Sequence, residues 1–328
     1  MCMQCPDSGS NAESQNSKVN YAPAQILQRK RSHNPNMSDP LKNQLKTALK
    51  LLLTGLALYL VFRKTDMPQL FELTKSIQWP WLIAALISFI LSKIATSIRL
   101  NRYFENIGIR LSAAQNWRLY LVGMFYNLFL PGGIGGDGYK VYLLHKEFKK
   151  PVKKLLQAAL LDRLGGLVAI VILLFGLFLI VEIQLDFLAS PLWNQLMIGG
   201  LVLTIPVFWL AQKFFFPDFL PSFWSASGWS FAGQIAQLIC AWFILKSLGI
   251  TENILAYQLV FLLSSIVAVL PLTIGGVGAR ELVFVYAHTY AGIQETAAVA
   301  FSLIFFLISA AVSLVGAFIK VNFAKKLK

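Results

Sequence analysis

Leu130-Pro131-Gly132-Gly133-Ile134-Gly135-Gly136-Asp137-Gly138 aligns without gaps on Leu270-Pro271-Leu272-Thr273-Ile274-Gly275-Gly276-Val277-Gly278. The two stretches share the pattern LPxxIGGxG, and Lys140 falls opposite Arg280. Each copy ends a short apolar run. Proline followed by glycines interrupts a helix and frees backbone N–H and C=O groups. Hydrocarbon cannot satisfy those groups, so such backbone survives in a membrane only inside protein or beside a water-filled cavity.

The rest of the chain sets that membrane context. Of 328 residues, 56% are apolar and 13% charged, where soluble domains carry about a quarter charged residues. The mean hydropathy is +0.62. Apolar runs at 47–62, 81–98, 155–181, 193–212, 229–245 and 296–319 read as spanning helices, with flanking Lys, Arg and Trp anchoring the shorter ones. Trp79, Trp81, Trp117 and Trp193 fall at the ends of these runs, as an interfacial belt does. The formal charge of +14 does not indicate a nucleic-acid partner, because the basic residues cluster between apolar runs.

Residues 1–45 form a polar tail without period, with an alternative start at Met37, and 46–328 form the membrane domain. Cys2 and Cys5 make a lone CxxC in the tail and Cys240 lies in an apolar run, which is no disulfide framework.

Charge bias bears on whether the glycine segments cross. Arg99, Arg102, Arg110 and Arg118 precede the first, and Lys140, Lys146, Lys149, Lys150, Lys153 and Lys154 follow it. Both flanks are basic, so the segment is expected to dip in and return. The C-terminal Lys320, Lys325, Lys326 and Lys328 then lie inside if the second segment, entering from outside, also returns, and both termini face the cytoplasm. The expected fold is all-α: an inverted repeat of three spanning helices plus one re-entrant glycine hairpin per half, at about 46–182 and 193–320. Three spans per half is odd, so the halves have opposite orientation, a construction of secondary transporters with a midplane site. The alternative is eight full transmembrane helices, which also keeps the termini cytoplasmic but exports the lysine-rich loop.

If a helix restarts after each glycine cluster, Lys140 and Arg280 lie in its first turn, beside amides and a positive dipole end that suit an anion such as phosphate. The competing reading is a tight turn with glycine for steric reasons. Asp137, Glu281, Asp162 and Arg163 are the remaining charges expected within the membrane, and partners are required because an isolated charge costs about 2.5–3.5 kcal/mol at a helix centre. Neighbours in sequence diverge on a helix, so Asp162 and Arg163 are expected to pair across helices, either as a site or as packing. Lys93 and Arg99 read as snorkelling residues, with Arg99 also a candidate headgroup contact. His145 and His288 have no metal-ligand companions. No nucleophile elbow, P-loop, HExxH or paired-carboxylate motif occurs, and neither a cofactor nor a metal is expected.

NLFLPGGIGGDGYKVY (127–142), Asp162-Arg163-Leu164 and LPLTIGGVGARE (270–281) resemble the signature blocks of the lysylphosphatidylglycerol synthase transmembrane-region family, which includes the flippase-like part of the multiple peptide resistance factor. The resemblance runs from about Lys46 to the C-terminus. It implies lipid translocation, or support of lipid-linked glycan processing, with Asp137, Arg163, Arg280 and Glu281 as carried-over residues. An aminoacyl-transferase domain is not found, so lysyl transfer is not expected. Lys140 stands where the resemblance would put Arg, which removes a bidentate phosphate contact.

The resulting expectation is a non-enzymatic translocator of an anionic phospholipid or polyprenyl-linked lipid in the cytoplasmic (inner) membrane of a prokaryote. Its site would comprise Arg99, Asp137, Lys140, Asp162, Arg163, Arg280 and Glu281 with the backbone of Gly135, Gly136, Gly275 and Gly276. The alternatives are a membrane enzyme or accessory subunit using Asp137 or Glu281 as base, and a scaffold for envelope-lipid enzymes.

Overall fold

The computed structural model describes Tyr59 and residues 67–129, 135–181, 190–269 and 278–323. The expected first span at 47–62 (Tyr59 excepted), the segments 130–134 and 270–277, and with them Gly275 and Gly276, lie outside the described residues. The described regular structure is helical: α1 (Met67–Lys75), α2 (Trp79–Asn106), α3 (Ala113–Phe129), α4 (Gly135–Phe148), α5 (Val152–Phe178), α6 (Pro191–Phe215), α7 (Phe223–Ser247), α8 (Ile254–Val269), α9 (Ala279–Ala291) and α10 (Glu295–Val315), with 3-10 turns at Pro217–Ser222 and Gly316–Phe318. Five of these are long and apolar enough to cross a membrane: α2, α5, α6, α7 with its preceding turn, and α10 with its following turn. They coincide with five of the expected spans; α2, α6 and α7 run past the apolar stretch, because polar ends such as 99–106 continue the helix, while α5 and α10 keep their expected length and shift by one to three residues. The protein is an all-α, multi-pass membrane bundle.

Local chemistry fixes several boundaries. Ser190 caps α6 by accepting a hydrogen bond from the Trp193 amide at 3.3 Å, and Pro191 follows it in the first turn. Pro80 likewise opens α2. On α2, Ile83, Ile87, Leu91 and Ile94 form an exposed apolar stripe at helical spacing. In water that stripe would be an aggregation liability; in a bilayer it is the lipid face.

The opposite face of α2 packs along α7, the most extensive pairing among the described helices. Small residues allow it: a Cβ on Gly233 would come within 3.2 Å of Thr96 Oγ1 and 3.5 Å of the Ser92 carbonyl. Close backbone approach of this kind drives helix association in lipid, where apolar burial gives little.

The order of lengths along the chain recurs. Helices α2, α3, α4 and α5 have 28, 17, 14 and 27 residues, and α7, α8, α9 and α10 have 25, 16, 13 and 21. Each half therefore runs long, short, short, long, with the glycine motif between the short pair.

Contacts gather the helix ends into two sets. At one end of the bundle, Asn106 Nδ2 donates to Ser222 Oγ at 2.6 Å and Lys154 pairs with Asp218. Phe148 meets Phe323 there, edge to face, at 5.5 Å. At the other, the Gln78 amide donates to the Ser247 carbonyl at 2.9 Å, and Asn253 Nδ2 donates to the Gly292 carbonyl at 2.8 Å.

The two short helices α3 and α4 touch backbone to backbone, since a Cβ on Gly136 would run into the Gly123 carbonyl. Neither partner can move away without parting the helices. Gly136→Ala is therefore expected to destabilise the domain by about 1–3 kcal/mol, the usual cost of overpacking. Thermal unfolding in detergent would read it as a lowered midpoint; an unchanged midpoint would mean that α3 and α4 separate freely.

Candidate functional site

Two apolar clusters divide the bundle, and the charges lie between them. Phe89, Ile170, Leu174, Cys240, Ala241, Phe261, Phe284, Phe301 and Phe305 belong to one cluster; Leu100, Tyr103, Phe104, Leu155, Leu161, Phe223 and Ala226 belong to the other. On α2 the interval between clusters holds Lys93 and Arg99, on α5 Asp162 to Gly166, and on α7 Ser230 and Gln234. Three long helices thus carry their polar residues at mid-height.

There they enclose a cavity of about 210 Å³, reached also by Asn127 of α3 and by Asp137 and Lys140 of α4. Asp137 is clamped on both oxygens: Oδ1 lies 2.7 Å from Lys140 Nζ and Oδ2 2.5 Å from Arg163 Nε. Asp162, one residue before Arg163, points instead to α2, where its Oδ1 accepts from Arg99 Nε at 2.7 Å. Arg99 also donates to Ser230 Oγ on α7 at 3.1 Å. The neighbours on α5 diverge as helix geometry requires and tie α5 to α4 and to α2. Gly165 and Gly166 make the room, since a Cβ on Gly166 would come within 3.3 Å of Arg99 Nη1.

Several expectations need correction. Arg99 does not snorkel; it is 4% exposed and turned inward, because Asp162 supplies in the interior the counter-charge that water would supply at the interface. Lys93 lines the cavity with its ammonium 4.7 Å from the centre of the Phe89 ring. Lys140 is in the second turn of its helix, because α4 starts at Gly135; Asp137 occupies the first turn, where the helix dipole favours a carboxylate. The amide of Gly136 is bonded to Asn127 Oδ1 at 2.8 Å and that of Gly278 to Glu281 Oε2 at 2.7 Å. Both restarting helices therefore have an N-terminal amide already occupied by the chain's own side chain.

The structure brings Arg99, Asp137, Lys140, Asp162 and Arg163 to one cavity. Gly135 opens α4 and Gly136 seats it against α3. Glu281, 1% exposed, turns back as a cap and accepts from Ser302 Oγ at 3.0 Å. Arg280 lies over the rings of Phe305 and Phe261, 4.5 and 5.6 Å from their centres. Sequence reasoning missed Asn127, Ser230 and Gln234. The available signal was Gln234 and Gln237, three residues apart in an otherwise apolar run. Among the described residues no group of three His, Cys, Asp or Glu could hold a metal.

Both cavity carboxylates are spent on cations, so neither is a free base, and the arrangement holds charge rather than making bonds. Removing Asp137 strands two cations at once, whereas removing Lys140 leaves the Asp137–Arg163 pair. Asp137→Asn should cost about 3–5 kcal/mol, as breaking a buried pair does, and Lys140→Gln distinctly less. Equal losses of the thermal midpoint would contradict this division.

No curated protein and no solved structure matches the chain. Residues 47–316 match the family described as Lysylphosphatidylglycerol synthase TM region. That span takes in the described helices from α1 to α10 and every charged residue of the cavity. With most of its length matched in this way, the chain belongs to the lysylphosphatidylglycerol synthase transmembrane-region family.

Proposed function

We propose that the protein translocates an anionic lipid or lipid-linked precursor across the cytoplasmic membrane of a prokaryote, the headgroup passing through the mid-height cavity while the acyl chains stay in the bilayer. The observation that carries this reading is the charge of that cavity. Its lining includes Lys93, Arg99, Lys140 and Arg163 against Asp137 and Asp162, an excess of two positive charges. An excess of positive charge between apolar layers is poorly solvated and is relieved by an anion. The four cations come from α2, α4 and α5, so relative movement of these elements changes the site.

The transporter architecture belongs to the same proposal. The two halves, about 46–182 and 193–320, are inverted repeats, and α3–α4 and α8–α9 are hairpins that return to the face they entered. Asn253 and Gly292, at the two ends of the second hairpin, are joined by a hydrogen bond. Gly108, ahead of the first hairpin, lies so near Lys150, just beyond it, that an added Cβ would meet the Lys150 ammonium at 3.0 Å. Both observations favour hairpins over complete crossings. A helix of 17 residues spans roughly 25 Å, so each descent reaches past the centre of a core about 30 Å thick. Both termini then face the cytoplasm. With amides of both half-helices occupied by Asn127 and Glu281, headgroup contact falls mainly on the side-chain cations.

Reconstituted vesicles test it. The protein is expected to accelerate exchange of labelled phosphatidylglycerol between leaflets over labelled phosphatidylcholine, and Arg163→Gln with Lys140→Gln to slow it by about tenfold or more, equivalent to about 1.4 kcal/mol. Equal acceleration of both lipids, or an unaffected variant, would count against the cavity as the pathway.

A further inference from the structure

Helices α9 and α10 meet at a turn that the start of α8 holds from both sides. Gly292 ends α9 in the left-handed region, with φ 62°, and its carbonyl accepts from Asn253 Nδ2 at 2.8 Å. Two residues on, the Gln294 amide donates to the Tyr257 hydroxyl at 3.3 Å. Across this turn His288, in the last turn of α9, faces Glu295, in the first turn of α10, with 3.7 Å between Nε2 and Oε2. Both side chains are partly exposed, and both line a cavity of about 930 Å³ shared with Glu72 and Leu73 of α1.

The other ring nitrogen fixes the tautomer. His288 Nδ1 lies 2.6 Å from the Val285 carbonyl, which can only accept, so Nδ1 carries a hydrogen in either charge state. In the neutral ring Nε2 is therefore a lone pair, towards which the Thr289 hydroxyl donates at 3.2 Å. That lone pair faces a carboxylate, and two acceptors have no hydrogen to share. The second Glu295 oxygen offers no relief: Oε1 is shut off from solvent and has no hydrogen-bond partner among the described residues. An acid with one oxygen buried bare and the other opposite a lone pair is short of one hydrogen.

We infer that His288 and Glu295 bind one proton between them, and that this proton latches α9 to α10 at the end of the second hairpin. It enters through the cavity and adds to Nε2, and the resulting imidazolium donates to Glu295 Oε2. Closing the gap from 3.7 Å to the length of a charge-assisted bond, about 2.7–2.9 Å, draws the end of α9 onto the start of α10. Both helix dipoles favour the product, a cation in the last turn of one helix and an anion in the first turn of the next. The surrounding elements bring no better partner. From α1, Glu72 reaches the cavity but pairs with Lys75 at 2.8 Å; α8 brings Tyr257, whose hydroxyl accepts from Gln294, and α9 itself carries the phenols Tyr286 and Tyr290. Histidine changes charge between about pH 5 and 8, so the latch is closed at the acid end of that range and released at the alkaline end. In the proposed topology this end of the bundle faces away from the cytoplasm, and the latch reads the pH of that side.

A double-mutant cycle on the full chain in detergent tests this, with thermal unfolding of the wild type, His288→Gln, Glu295→Gln and the double variant at about pH 5.5 and about pH 8. At the acid pH the loss in the double variant is expected to fall short of the summed single losses by about 1–3 °C, the mark of a direct pair, and at the alkaline pH by less than half as much. Each cycle is closed within one pH, so any effect of acid on the rest of the chain cancels. Equal coupling at the two pH values overturns proton binding by the pair, and no coupling at either overturns the contact itself. A second measurement needs no variant. The Ile293 amide donates to the His288 carbonyl at 3.2 Å, and its hydrogen exchange in the wild type, corrected for the intrinsic pH dependence, is expected to slow at acid pH. Unchanged protection there would overturn the latch.

Discussion

A carboxylate or a guanidinium in the middle of a hydrocarbon layer must find its counter-charge within the protein, and that requirement organises this bundle. Asp137 is held by Lys140 from its own helix and by Arg163 from α5; Asp162 holds Arg99 from α2, which reaches on to Ser230 of α7. Four helices are thereby pinned at one level, with an apolar cluster on either side. Apolar contact alone would not fix that level, because lipid tails compete equally for an apolar surface. The adjacent pair Asp162-Arg163 is the hinge of the arrangement: two opposite charges one residue apart serve two different partners.

The second constraint is the interrupted backbone. A helix that starts away from water needs acceptors for its first amides, and Asn127 at the start of α4 and Glu281 at the start of α9 each supply one. These caps change the chemistry on offer. An uncapped half-helix offers an anion its backbone amides; here an N-terminal amide of α4 and the amide ahead of α9 are already bonded within the chain. The two copies of the motif solve the same backbone problem with different side chains, one from the preceding helix and one from the restarting helix itself.

Much of this was legible in the sequence. Five apolar runs appear as helices, because burial in lipid demands little beyond length and hydropathy. The divergence of Asp162 and Arg163 followed from helical geometry. The inward turn of Arg99 was not legible. An arginine near the end of an apolar run has two equally good outlets, the interface or an internal acid, and only the position of Asp162, 63 residues away, decides between them. Lys93 was missed for the same reason. The start of α4 at Gly135 was missed because glycines are poor helix formers by propensity, yet here close packing on Gly123 favours them. Gln234 became visible as a cavity residue only once α7 was laid against α2.

The central claim is that each glycine hairpin re-emerges on the face it entered. Single cysteines at Arg110 and Lys150, which flank the first hairpin, and at Glu252 and Gln294, which flank the second, placed in a background without Cys2, Cys5 and Cys240, would test it through labelling with a membrane-impermeant thiol reagent in sealed, oriented vesicles. The account predicts that Arg110→Cys and Lys150→Cys react from one side and Glu252→Cys and Gln294→Cys both from the other. Reaction of Arg110→Cys and Lys150→Cys from opposite sides, or of Glu252→Cys and Gln294→Cys from opposite sides, would contradict it.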